Sequence, residues 1–368
     1  MNFKYLFLMN KFTKFFITAF FVLNLNIVYS QDTTNIQLQK NFDISAFVET
    51  YYSINTDKTA KLKFIPSVSP YRDEMRINIA QLSVGYNDEE IRGKLTLHYG
   101  DIPEINWAPS TIYKNIQEAY VGFSPAKKFW IDAGFYQTHI GAEGFPPNNF
   151  LSSNALISVA EPNFQSGIRF SYEFSEKLSA SLHIINGLNL FEDNNKNKTF
   201  GLKIDYTPIE NLTFSYNNSV GNEIPSSENN PRIRYFHNFV ITYSPSKKID
   251  LLGNFDVVHQ EKSKINDSSA TAYTYGAVVS ARYKFNKMYS STIRCEYYQD
   301  LDGLLTGIVF ADRGAKGNGF TLGFEYKPIE QAYLRFEYYF LRMDAEQKVF
   351  YDNSNVKNEA TISFGLGF

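Results

Sequence analysis

The sequence holds a single cysteine, Cys295, among 368 residues. Neither a disulfide framework nor a cysteine-rich metal cluster can be built from it. Tryptophan is scarce too, with two residues, and there are only five histidines. The motifs of serine hydrolases, P-loop enzymes and zinc proteases (GxSxG, Walker A, HExxH) are missing. Neither sign of charge prevails, with 36 Lys and Arg against 38 Asp and Glu. That leaves no basic footprint for nucleic acid. The only long apolar run lies near the N-terminus and mean hydropathy is slightly negative, which excludes a bundle of membrane helices. What the chain has in excess is aromatic rings, 33 Phe and 26 Tyr.

The beginning reads as an export signal. Lys4, Lys11 and Lys14 precede the apolar run from Phe15 to Leu23, and Val28-Tyr29-Ser30 offers small residues before Gln31. A positive start, an apolar core and such an exit mark a cleaved secretory signal peptide over 1–30, with Met9 an alternative start. Asn24 and Asn26 interrupt the run and argue against a membrane anchor. The leader holds three lysines and no acid, so 31–368 carries 33 basic and 38 acidic groups. With no cysteine after the cut, lipoprotein processing is excluded.

From Phe42 onward the chain alternates with period two, the signature of strands. In the last segment Ala360, Ile362, Phe364, Leu366 and Phe368 share one face, and Thr361, Ser363, Gly365 and Gly367 the other. Strands are expected near 42–53, 75–86, 91–100, 116–123, 129–137, 165–174, 178–187, 199–206, 212–221, 231–243, 249–260, 271–285, 289–299, 318–326, 332–343 and 357–368. Most have the length that a tilted strand needs to cross a bilayer core. Every second connection is short, as at 87–90 or 175–177, and the others run from about nine residues (222–230) to twenty-seven (138–164). Short turns at one end and long loops at the other predict an all-β fold, a transmembrane antiparallel β-barrel of about sixteen strands (14–18) forming one domain over 31–368.

Four segments repeat an aromatic-x-Pro pattern before a short turn: Phe123-Ser-Pro125, Tyr206-Thr-Pro208, Tyr243-Ser-Pro245 and Tyr326-Lys-Pro328. Proline stops the ladder there, and Tyr86, Phe174 and Phe285 end their strands with a ring alone. A ring before each of the seven short turns reads as the interface girdle. Charges obey the same parity. With the apolar face outward, the inward face holds Lys94, Arg169, Lys203, Arg232, Arg234, Arg282, Lys284, Arg294 and Arg335. The acids on that face are Glu49, Glu118, Asp132, Glu173, Asp205, Asp256, Glu296, Glu325 and Glu337. Arg342 is the outward exception, at a strand end, and a bulge near Ala80-Gln81 would keep Arg76 and Asn78 inward. So polar an interior needs water, and sixteen strands enclose an aqueous channel.

With these features the mature chain resembles the outer-membrane porins, in particular the OmpL-like β-barrel porin family. The resemblance implies that Ile362, Phe364, Leu366 and Phe368 are read by the barrel-assembly machinery. It also implies that the third long connection, 138–164, folds inward and narrows the channel, although the Pro-Glu-Phe-Gly-Gly signature of that loop is absent. On this reading Glu143 and Glu161 line the constriction, with Asn148 and Asn149 as neutral donors, faced by Arg76 and Lys94. Nine inward bases against nine inward acids predict weak ion selectivity. The expected partners are outer-membrane lipid, lipopolysaccharide and small hydrophilic solutes, with a homotrimer left open beside a monomer, and no cofactor or metal.

Two other readings remain open. A substrate-selective porin could use an arginine ladder (Arg169, Arg232, Arg234, Arg282, Arg294, Arg335) or the rings of Tyr120, Trp130 and Tyr136. A barrel enzyme or adhesin is the alternative from another class. For an enzyme the histidines offer little: His98 and His183 fall inward, His139 at a loop entrance, and His237 and His259 outward. Asp300-Leu-Asp302-Gly303 looks faintly like a calcium loop but lacks its distal Glu. About eleven residues, 31–41, precede the first strand, too few for a plug.

Overall fold

The computed structural model describes residues 41–368 except 66, 67, 229 and 311, so the expected signal peptide lies outside the described residues. Sixteen strands form in order: β1 Phe42–Asn55, β2 Met75–Asn87, β3 Ile91–Tyr99, β4 Ile116–Ala126, β5 Phe129–Gln137, β6 Phe164–Ser175, β7 Leu178–Ile185 and β8 Thr199–Ile209. They continue with β9 Leu212–Asn222, β10 Ile233–Ser246, β11 Ile249–Gln260, β12 Ala272–Lys284, β13 Tyr289–Gln299, β14 Lys316–Ile329, β15 Ala332–Met343 and β16 Val356–Gly367. Neighbours in sequence are neighbours in the sheet, and β16 pairs antiparallel with β1 to close the barrel. Closure leaves no backbone edge exposed to hydrocarbon, where an unpaired N–H or C=O is costly. Phe368 and Ala46 complete the seam, each donating its N–H to the other's carbonyl at 3.0 Å.

Period two separates the faces. On β12 Val279 is 64% exposed toward lipid, whereas Thr274 on the lumenal parity is 1% exposed. The expected slip in β2 is present: Asn78 is buried against Glu49, while further along Gln81 and Ser83 line a lumenal cavity. A second irregularity leaves Gln117 between two paired residues of β4. Arg342 is exposed outward beside the Phe340 ring.

The aromatic-x-Pro repeats act differently from the expected strand stops. Each strand continues past its proline, and the ladder shifts register between Phe123 and Ala126, Tyr206 and Ile209, Tyr243 and Ser246, and Tyr326 and Ile329. The middle residue turns sideways. Ser124, Thr207, Ser244 and Lys327 donate their N–H groups to Glu90, Lys177, Asn211 and Met288 in the preceding turn. Proline follows because its position has no ladder bond to lose. The ring that opens each motif sits at the turn end of its strand; Phe123 and Tyr206 are exposed there.

The long connections are loops 1 to 8 in chain order, and three matter for the lumen. Loop 1 spans 56–74, loop 2 spans 100–115 with helix α1 (Asp101–Asn106), and loop 3 spans 138–163 with helix α2 (Leu156–Ala160). Their apolar residues pack inside the barrel. Trp107 and Phe145 join Phe164 and Phe191 in one cluster, and Ala155, Leu156 and Ile157 join Tyr298, Tyr339 and Leu341 in another.

Candidate functional site

Loop 3 leaves β5 and crosses to the wall eight strands away. Its first anchor is His139, whose ring stacks on His183 at 4.1 Å and bonds to Gln165 and the Asn218 carbonyl. Burial lowers the His139 pKa, which keeps the ring neutral. The Gly141 N–H then donates to Asn238 of β10 at 3.1 Å.

At the far wall acids and arginines receive the loop's backbone. Ser152 and Ser153 donate their N–H groups to Glu337, and the Ser152 hydroxyl reaches Glu49 at 2.8 Å. The Leu156 N–H donates to Glu296 at 2.9 Å. Arg294 donates to the Ser153 carbonyl at 2.6 Å, and Arg335 to the Asn149 carbonyl at 3.0 Å. A loop carried through a barrel must satisfy its N–H and C=O groups somewhere. The inward charges of β13 and β15 do so.

The expected constriction residues separate into three groups. Glu143 and Glu161 are in the lumen on loop 3. Glu143 pairs with Arg294 at 3.1 Å and accepts from the Ala155 N–H and the Ser158 hydroxyl. Glu161 accepts from Asn254 at 2.6 Å and hydrogen-bonds to Asp256. Burial, and then the Asp256 charge, raise its pKa well above the ordinary 4.5. Asn148 lines three adjoining cavities.

Asn149, Arg76 and Lys94 are each engaged by another partner. Asn149 staples the loop to itself, bonding both the N–H and the carbonyl of Gly144 at 2.9 Å. Arg76 does not face the loop's acids, because Asp101 of α1 holds its guanidinium through two bonds of 2.7 and 2.8 Å. Lys94 lines the same cavity as Pro147 and Asn148 of the loop and pairs at 2.6 Å with Glu118 on the next strand.

Most remaining lumen charges are paired along the wall. Asp132 receives both Arg92 and Arg169, and Asp250 receives both Arg282 and Lys284. Lys203 lies 3.4 Å from Asp205, Arg335 2.8 Å from Glu325, and Arg232 2.9 Å from Glu228. Arg234 donates to the Gln260 side chain. The arginines also cover the lumenal rings, with Arg92 4.2 Å above Trp130 and Arg169 over Tyr120 and Tyr136. Asp300 caps its own loop, accepting N–H bonds from Leu304, Leu305 and Thr306, so its carboxylate is used internally. Arg92 and Asp250 were missed in the sequence although both share parity with recognised lumen charges.

Open space remains between loop 3 and the wall of β2, β3, β4 and β5. A cavity of about 520 Å³ reaches from Lys327 and Phe368 at the turn end up to Pro147 and Asn148. A second, of about 210 Å³, continues along the loop to Asn163 and shares Gln81, Gln117, Gln137, Pro147 and Asn148 with the first. Behind the loop lies a third, of about 380 Å³, lined by Asn148, Phe150, Asp250 and Arg282.

The same architecture recurs in solved outer-membrane proteins of very different sequence. The outer membrane channel DcaP of Acinetobacter baumannii superposes with a TM-score of 0.61 at 13% identity, over 89% of this chain and 97% of that one. OmpF of Salmonella typhi, in complex with daunomycin, gives 0.59 at 12% identity over 89% and 97%. An anion-selective porin from Comamonas acidovorans gives 0.58 at 10% identity over 89% and 99%. A search of the curated proteins finds no match. The family model described as "Putative beta-barrel porin-2, OmpL-like" matches residues 41–368. The chain therefore belongs to that OmpL-like porin family, and its barrel is an outer-membrane channel for solute diffusion.

Proposed function

We propose that loop 3 sets the narrowest part of the channel and that small hydrophilic solutes pass between it and the wall of β2, β3, β4 and β5. The supporting observation is the loop's course: it is bonded to β10, β11, β13 and β15, and the connected cavities run along its free side. Glu143 and Glu161 border this passage but spend their oxygens on wall and loop partners, and Asn148 is the loop amide that faces it. Pairing of the wall charges leaves a weak net field, so ion selectivity is low. The channel works by width and hydrogen bonding and performs no chemistry.

On the same reading the leader is removed before Gln31, the terminal Ile362, Phe364, Leu366 and Phe368 guide insertion by the assembly machinery, and the barrel contacts lipid and lipopolysaccharide. A homotrimer is the proposed assembly; a trimer form is known for OmpT of Vibrio cholerae, which shares the fold at 12% identity. The test is reconstitution in planar bilayers. The full chain should give stepwise conductance with small reversal potentials in a salt gradient, and deleting 145–150 should raise each step. Silent bilayers would overturn the channel reading. Unchanged steps after the deletion would move the constriction away from loop 3.

A further inference from the structure

The wall across from loop 3 presents three amides beside Lys94 and Glu118, which line the larger cavity and pair with each other at 2.6 Å. Gln81 comes from β2 just past its slip, Gln117 from the irregular position of β4, and Gln137 from the last residue of β5. In β5, Gly134 adopts a φ of 134°, a conformation that other residues rarely take, three positions before Gln137. All three glutamines line both connected cavities.

Their hydrogen-bonding capacity is largely unspent. Gln81 donates from Nε2 to Oε1 of Gln117, which leaves the Gln81 carbonyl and the Gln117 amino group for a third party. Neither Gln137 nor Asn148 has a side-chain hydrogen bond among the described residues. The two acids that border the same space are occupied, Glu143 by Arg294, Ala155 and Ser158, and Glu161 by Asn254 and Asp256. An aromatic edge completes the lining. Phe145 borders the smaller cavity and packs at 5.4 Å on Trp107 behind it, whose buried indole N–H has no acceptor among the described residues.

Paired amide donors and acceptors beside an apolar ring match vicinal hydroxyl groups, which need both a donor and an acceptor, on a molecule with apolar C–H faces. An ion entering the same strip would lose hydration beside wall charges already paired with one another, Lys94 with Glu118 and Arg335 with Glu325. Resting on the proposed passage along loop 3, we propose that this strip is a binding site selective for neutral polyhydroxylated solutes, small saccharides, with Gln81, Gln117, Gln137 and Asn148 as the recognising groups.

The test uses the full chain in planar bilayers, with maltotriose, glucose, gluconate and glucosamine as probes. Maltotriose and glucose should interrupt the potassium chloride current in a concentration-dependent way, and gluconate and glucosamine should do so more weakly at equal concentration. The double variant Gln81→Leu, Gln117→Leu should weaken the maltotriose block by about tenfold, as expected when a bound polar solute loses its partners. Asn148→Ala, which removes no side-chain bond within the protein, should weaken it in the same direction even if the double variant fails to fold. Conducting channels that saccharides do not block, or that the charged probes block as well, would overturn the saccharide site and leave the channel reading intact. Equal block in the parent and in both variants would overturn the assignment to these residues. Absence of channels altogether would instead count against the proposed passage itself.

Discussion

Arg294 is the largest fully buried side chain among the described residues, and its surroundings explain why it is there. It is fully buried, pairs with Glu143, and donates to the Ser153 carbonyl and to Thr321 at 3.0 Å. Removing one partner of a buried pair strands the other, at a cost of about 3–5 kcal/mol. Arg294→Met should therefore lower the temperature at which the unboiled, faster-running band converts to the boiled form on denaturing gels. Glu143→Gln, which keeps the hydrogen-bonding shape, should lower it less. An unchanged conversion temperature in Arg294→Met would mean that the pair does not anchor loop 3. Residue by residue, period two made the faces legible, since it placed Arg294, Arg335, Asp132 and Glu118 in the lumen. It could not supply partners, which depend on rotamers and loop paths. Arg76 meets Asp101 in α1, and Lys94 meets its cross-strand neighbour. The glutamine wall was invisible for a related reason: neutral amides carry no parity signal, and the slip in β2 and the irregularity in β4 re-aim two of them.

Loop 3 is the element whose behaviour should depend on pH. Glu161 faces Asp256 and Asn254, with Asn238 bonded to Asp256 and Glu143 contributing a further negative charge. A carboxyl whose pKa rises on folding binds its proton more tightly in the folded state. The stabilisation from this contact is thus full below the ordinary value of about 4.5 and is lost as pH climbs through the raised value. Above that range the two carboxylates repel and the Asn254 end of the loop loosens. Single-channel recordings from pH 5 upward should show increasing current noise as the contact ionises, and Glu161→Gln should remove the pH dependence. Noise that is flat with pH in the parent would contradict a proton held at this contact. The loop's length and its place after the fifth strand were legible in the sequence. Its anchors were not, because they lie on strands up to about two hundred residues away, as Ser152 and Glu337 illustrate.

At the scale of the whole molecule the barrel was legible because three independent regularities agree: alternation, asymmetric connections and a ring before each short turn. The filling of the outer half was not, since it joins distant segments. Trp107 packs on Phe164 at 5.6 Å, and Lys63 of loop 1 is buried against Glu359 of β16. Such packing raises the question of whether the channel conducts with loop 3 in place or only after the loop moves. The serine pair Ser152 and Ser363 can answer it, because their hydroxyls are 2.7 Å apart and link the loop to β16. Ser152→Cys with Ser363→Cys, in a chain with Cys295→Ser, puts two thiols within reach of a disulfide. Cys295 is exposed, so its loss costs no packing in the lumen. If the anchored loop is the conducting arrangement, oxidised and reduced channels should have the same conductance, and oxidation should raise the conversion temperature on gels. Current lost on oxidation and regained with reductant would instead require the loop to leave β16 before solutes pass, and the cavities along its free side would then describe a resting state.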